Sequence, residues 1–365
     1  MSSFDSYRPP EQPRRRRRRD PSRRRSGPGG SGQRGGGGHR EAPVVPEAEF
    51  TSYYGRPIVK PAPWEDDVAA YLFLGGLSAG SALLAAGGQL TGNDLLRRNC
   101  RYAALTAAGL GTVALIKDLG RPERFLNMLR TFKITSPMSV GSWILVSFST
   151  AAGLAAAGEV TRQLKWDSLA KLTLPLENFG GIIAGLLAPG LAAYTAVLLT
   201  NTATPTWSGA RDYLPFVFAG SAAMGAGGLA MILTPVSHAR PARNLAVLAA
   251  GAELVASWVM EENMDETEAE PLHEGEAGSM MRASKVLAGA GGVVAGLSTL
   301  ALKRGWRGAR AIACAGGAAL VVSSVLNRFG VFRAGLKSAK DPRYTVEPQK
   351  RRVQEHGENS PTTFT

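Results

Sequence analysis

KDLGRPERFLNMLRTFKITSPMSVGSW, Lys117 to Trp143, is a polar, proline-punctuated stretch wedged between two long apolar runs. The run before it (Tyr102 to Ile116) and the run after it (Val140 to Gly158) carry no charged side chain, whereas the stretch itself holds Asp118, Arg121, Glu123, Arg124, Arg130 and Lys133. Two charge-free runs joined by a charged turn read as membrane helices meeting at a membrane surface. The plainer reading is that any loop between membrane helices is polar. The sharper one is that something specific binds there, and the rest of the chain has to decide.

Working outward, windows of about 20 residues, the length that spans a roughly 30 Å hydrocarbon core, pick out eight candidate spans. They are Val68 to Leu90, Asn99 to Lys117, Val140 to Gly158, Leu172 to Thr200, Tyr213 to Val236, Asn244 to Met260, Ser284 to Leu302 and Ala309 to Leu326. The reading is therefore an all-α, polytopic membrane protein. Stretches such as GGLSAGSALLAAGG and AGSAAMGAGGLA suit close helix packing, because lipid offers no hydrophobic drive between helices and small side chains let backbones approach. The acidic segment Glu261 to Arg282 reads as a solvated connector.

A net charge of +13 and a mean hydropathy near zero understate how apolar the middle is. Residues 1–52 contain the runs Arg14 to Arg19, Arg23 to Arg25 and Gly35 to Gly38, and residues 344–365 are polar as well. Both tails are expected to be disordered, since such composition buries too little apolar surface to offset ordering entropy. The membrane domain is 53–343. The arginine run reads as a solvated arm that can touch anionic lipid; without interleaved aromatics, nucleic-acid binding is the weaker option. No apolar segment follows it closely enough for a signal peptide. The arm argues for cytoplasmic termini, while the basic short loops around Arg97, Arg162, Arg240 and Lys303 argue for the opposite face, so the sequence leaves both orientations open.

Composition narrows the chemistry. Cys100 and Cys314 form no ligand spacing, so no iron-sulfur cluster or cysteine-based metal site is expected in this chain. His39, His238, His273 and His356 all fall in tails or loops, which leaves no in-membrane imidazole pair for a haem. Two ionisable side chains fall well inside the expected spans, Glu177 and Glu253. A membrane carboxylate marks a proton path by default. Against that, Glu253 can serve as a helix-to-helix hydrogen bond, and Glu177 can be stabilised by a helix N-terminus.

Span direction brings the Lys117 to Trp143 loop, the start of the first span and the end of the fourth to one face. Tyr194 lies about 9 Å in from Thr200 by helical rise. Asp118, Tyr194, Tyr71 and Trp143 can then line one pocket just below that face. Such a set suits a quinone, whose carbonyl oxygens accept hydrogen bonds from phenols and whose two-electron chemistry needs a proton exchanger. Tyr71 taken alone reads equally as part of an interfacial aromatic belt.

At these residues the sequence resembles the polysulfide reductase membrane subunit family, the NrfD-like proteins. The resemblance rests on YYGRPIVK (Tyr53 to Lys60), YLFLGGLSAGSALLAA (Tyr71 to Ala86), the whole Lys117 to Trp143 stretch and YTAVLLTNTATPTW (Tyr194 to Trp207). It covers roughly Tyr53 to Tyr344, the second half mainly in span count. It implies eight helices in two four-helix bundles, a bound menaquinone or similar quinone, and no haem or metal. It also implies a ferredoxin-type iron-sulfur partner attached to a molybdopterin catalytic subunit, so that this protein is not catalytic alone. The family's acidic residue at the end of span two carries over to Asp118 and its span-four tyrosine to Tyr194. The histidine and asparagine of span one have no counterpart, and Tyr71 and Asp67 stand there instead. The implied role is a plasma-membrane anchor that exchanges electrons with the quinone pool in anaerobic respiration, of formate dehydrogenase or polysulfide or thiosulfate reductase type. The alternatives are a transporter or proton-translocating bundle built on Glu177 and Glu253, and a pure anchor.

Overall fold

A computed structural model describes residues 57–120, 123–164, 167–306 and 308–356. Outside the described residues lie the tail 1–52, Tyr53 to Arg56 of the first motif, Arg121 and Pro122 of the central stretch, and residues 357–365. All regular structure among the described residues is helical: α1 (Asp66–Leu90), α2 (Asp94–Asp118), α3 (Glu123–Met128), α4 (Pro137–Gln163), α5 (Asp167–Thr200), α6 (Pro205–Gly209), α7 (Leu214–Leu233), α8 (Arg240–Asn263), α9 (Glu266–His273), α10 (Gly275–Lys303), α11 (Ala309–Lys340) and α12 (Arg343–His356).

Seven of these are long and apolar enough to cross a membrane: α1, α4, the Pro175–Thr200 part of α5, α7, α8, α10 and α11. The protein is thus a multi-pass membrane protein. The expected second span is a helix too, α2, but Asp94, Arg97, Arg98 and Arg101 at one end and Lys117 and Asp118 at the other leave only Tyr102 to Ile116 free of charge. That is short of the ~20 apolar residues a bilayer core requires. Local chemistry sets the helix starts. Asn93 Oδ1 accepts from the Leu96 N–H (3.3 Å) to begin α2, and Ser136 Oγ accepts from Ser139 N–H (3.4 Å) ahead of Pro137 in α4. Past the end of α2, Gly120 turns the backbone at φ 67°, a conformation that costs other residues dearly.

In the first half α1 packs on α2 and α5, and α4 packs on α2 and α5. In the second half α7 packs on α8 and α11, and α10 packs on α8 and α11. The halves meet through α1 and α5 against α7, and α1 against α11. The two glycine- and alanine-rich stretches singled out above face each other across this junction: a Cβ at Gly80 would lie 2.6 Å from Ala226 Cβ and 2.7 Å from Ala222 O.

Two expectations need correction. The acidic connector is not simply solvated. It folds into α9, with Glu268, Ala269 and Leu272 buried, and its carboxylates find cations: Asp265 with Arg351 (3.1 Å), Glu268 with Arg352 (2.6 Å), Glu270 with Arg343 (3.0 Å) and Glu274 with Lys337 (2.7 Å). The C-terminal tail is accordingly ordered as α12 through His356, because ion pairing to α9 supplies what its low hydrophobicity cannot. Beside them α6 is held by Trp207, which is fully buried, donates its indole N–H to Val331 O (2.8 Å) and stacks on Trp64 at 5.9 Å.

Candidate functional site

Asp118 closes α2 and is half-buried, with its Oδ1 3.5 Å from the Glu65 amide nitrogen just ahead of α1. Burial holds its carboxyl above the ordinary carboxylate range, the nearby charges of Asp67 and Glu65 push the same way, and the Glu65 N–H opposes them. Next to it Asp67 is engaged: Lys117 Nζ lies 2.9 Å from its Oδ2. One turn further along α1, Tyr71 is buried (2% exposed) and lays its ring against Gly111 of α2. Gly111 precedes Asp118 by two helical turns on the same side of α2, a separation of about 10 Å.

Tyr194 reaches the same region from α5. It is 8% exposed and lies directly on the backbone of α4 at Gly141, where any Cβ would overlap the phenol ring. That explains the glycine in the SPMSVGSW motif: it is the seat of Tyr194. Tyr71 and Tyr194 stand on α1 and α5, which pack on each other. Among the described residues neither hydroxyl has a hydrogen-bond partner.

Trp143 does not join this group. It is 37% exposed, donates its indole N–H to Thr131 O (3.4 Å), and meets Phe132 edge-on at 6.2 Å. It belongs to the outer loop, beside the exposed Phe132 and Ile134. The structure therefore brings together Tyr71, Tyr194 and, at the rim, Asp118 and Asp67, and leaves Trp143 outside. A cavity of about 540 Å³ lies elsewhere, against α7 and α8 between Tyr213, Phe216, Gly220 and Val259. Its walls are apolar, so it offers no chemistry.

The expectation of two buried ionisable groups was too small. Glu177 sits ten residues into α5, not at a helix start, so a helix terminus does not stabilise it. Arg101 donates to it, Arg162 Nε does so at 3.1 Å, and Arg101 (3.0 Å) and Arg97 Nε (2.7 Å) both donate to Glu159. Gln89 Oε1 takes a further bond from Arg101 at 2.7 Å. This network closes the end of the first half opposite Asp118.

In the second half Glu253, fully buried, accepts from Asn327 Nδ2 (2.7 Å) and Ser257 Oγ (3.4 Å). Among the described residues its Oε2 and the Asn327 Oδ1 have no partner. Arg328, also fully buried, donates to Thr195 Oγ1 (3.1 Å) and Phe218 O (2.5 Å) and lies 3.7 Å above the Phe218 ring. The eighth expected span stopped at Leu326 because a hydropathy window ends at a charge. The apolar residues resuming at Phe329, Val331 and Phe332 were the signal that the helix continues past Arg328.

The family profile described as Polysulphide reductase, NrfD matches residues 58–249. The C subunit of the polysulfide reductase of Wolinella succinogenes is 30% identical over 151 residues, which is 38% of this protein and 47% of that one. The match thus spans about half the length of that relative. The profile takes in Tyr71, Asp118 and Tyr194 and stops short of Glu253 and Arg328. With more than half of its residues under the profile, the protein belongs to the polysulphide reductase NrfD family.

Proposed function

We propose that this protein is the quinone-reactive membrane subunit of a multisubunit oxidoreductase, with Asp118, Tyr71 and Tyr194 forming the quinone site. The observation that carries the reading is the convergence of two buried phenols, without hydrogen-bond partners among the described residues, below a carboxyl whose burial favours its protonated form. The phenols donate to the two carbonyl oxygens of the quinone substrate, and Asp118 exchanges protons with it at the surface. Asp67 and Trp143 act more remotely: Asp67 fixes Lys117 and so the end of α2, and Trp143 holds the loop that rims the site. Menaquinone fits the family resemblance.

The architecture is read as eight spans in two four-helix bundles, α2 being the eighth. The ring of contacts among α1, α2, α4 and α5, and the matching ring among α7, α8, α10 and α11, support it. The Wolinella relative is named as one lettered polypeptide of a reductase, which favours partners for this one. A ferredoxin-type iron-sulfur subunit docks on the Asp118 face beside Phe132 and Ile134 and connects to a molybdopterin catalytic subunit, all at the plasma membrane.

In isolated membranes, Asp118→Asn and Tyr194→Phe should each lower quinone-coupled activity by about 100-fold or more while the complex remains assembled. Unchanged activity in both would reject the site. A second reading, proton translocation, is favoured by one observation, the uncommitted oxygen of Glu253. Glu177 is less suited to it, since both its oxygens are bound by arginines. Proton uptake by vesicles that persists in Glu253→Gln would reject that reading.

A further inference from the structure

Among the described residues four arginines are buried: Arg97, Arg101, Arg243 and Arg328. Three have acceptors. Arg97 bonds Glu159 and Asp94, Arg101 bonds Glu159, Glu177 and Gln89, and Arg328 bonds Thr195 and Phe218 O. Arg243 is the exception. It is 4% exposed, its Nε and Nη1 are buried without a partner, and no ion pair to it is formed among the described residues.

Its position explains what is missing. Arg243 stands in the first turn of α8, whose N-cap Ala239 supplies no side-chain hydrogen bond. A helical side chain leans back toward the N-terminus, so the guanidinium lies over that uncapped turn, with the exposed Arg240 three residues before it. This is the membrane face opposite Asp118. Asn93, just before α2, donates to His238 O (2.9 Å), and Asn99 donates to Leu233 O (2.8 Å), which ties the start of α2 to the connector before α8. The neighbouring cation Arg310 is spent on the carbonyls at the end of α7, including Met231 O at 3.1 Å. Two guanidinium groups and the positive end of a helix therefore meet at a membrane surface with no anion among the described residues. A buried charge in that state is expensive unless something of opposite sign completes it.

We infer that Arg243, Arg240 and the first turn of α8 form a binding site for a phosphate group, as found in an anionic phospholipid head group or in free phosphate. Guanidinium and a helix N-terminus are the groups that recognise phosphate oxygens, and a basic recess at a helix end places them at head-group level.

The test uses the full-length protein purified in mild detergent. Native mass spectrometry counts retained phosphatidylglycerol, and thermal midpoints are compared in nanodiscs of phosphatidylcholine with and without phosphatidylglycerol. Arg243→Gln should retain about tenfold less phosphatidylglycerol and lose the thermal gain that this lipid gives. Arg240→Gln, at an exposed position, should show the same loss to a smaller degree, and Lys303→Gln should show none. Inorganic phosphate titrated into the phosphatidylcholine sample distinguishes the sources: a thermal gain with phosphate that vanishes in Arg243→Gln assigns the site to the free anion. Full lipid retention and unaltered responses in both arginine variants would overturn the proposal. Should Arg243→Gln fail to fold, Arg240→Gln alone decides.

Discussion

Both halves of the molecule bury charge among their helices, and they do so in opposite ways. In the first half Glu159 and Glu177 are matched by Arg97, Arg101 and Arg162, so both buried carboxylates there face cations. In the second half Glu253 and Arg328 are adjacent in the fold yet are satisfied by neutral groups, leaving Glu253 Oε2, Asn327 Oδ1 and Arg328 Nε without partners. A network in which each carboxylate holds two arginines fixes helix positions, although Arg101 Nε is left over among the described residues. A partly matched one can change its protonation state without breaking the helix packing. Burial of charge alone therefore does not set Glu253 apart from Glu159 and Glu177; its uncommitted carboxylate oxygen does.

The largest test of this contrast is Arg101→Ala, which leaves Glu159 to Arg97 alone and Glu177 to Arg162 alone. Removing one partner from a buried ionic network costs about 3–5 kcal/mol, to be seen as a lowered denaturation midpoint of the purified protein. Wild-type stability would show that the first-half network is not what closes that end.

Next in size is the proposed quinone site, where Asp118→Asn should act on rate rather than fold. Because the folded-state pKa of Asp118 is raised, its protonated form favours the fold at low pH. That contribution is lost as pH rises through the folded pKa, so Asp118→Asn loses no stability at neutral pH. The pH profile of quinone reduction should carry an inflection above the ordinary carboxylate range that is absent in the variant. An identical profile in both would separate Asp118 from the proton chemistry.

Gly141→Ala forces the Tyr194 ring off α4, at an overpacking cost of about 1–3 kcal/mol. Quinone-coupled activity should fall further than the thermal midpoint accounts for. The smallest effect belongs to Glu253→Gln. The amide still accepts from Asn327 Nδ2 and gains a donor for Asn327 Oδ1, so stability should change by less than about 1 kcal/mol. A loss as large as that of Arg101→Ala would erase the difference between the halves.

The helices were legible because their runs are long and free of charge, and the grouping of Tyr71, Asp118 and Tyr194, the proposed quinone site, because span direction alone sends them to one face. Trp143 was misjudged because sequence places a residue at a level, not on a side, and its indole turned toward Thr131. The Arg101 network was hidden for another reason. Its members come from α2, α4 and α5, and pairing across three helices has no local signature. The α9 to α12 pairing was readable in principle, since an acidic segment and a basic tail in one polypeptide invite each other.

That last pairing bears on how the protein is made. Arg351 and Arg352 leave the ribosome more than 80 residues after their partners Asp265 and Glu268. The connector therefore emerges with Asp265 and Glu268 unmatched and stays so until Arg351 and Arg352 have been made. Only then can α12 swing onto α9 and shield the buried Glu268. α12 thus acts as a latch on α9 that is set late, and a polypeptide stopped before Arg343 would insert its helices yet leave the latch open.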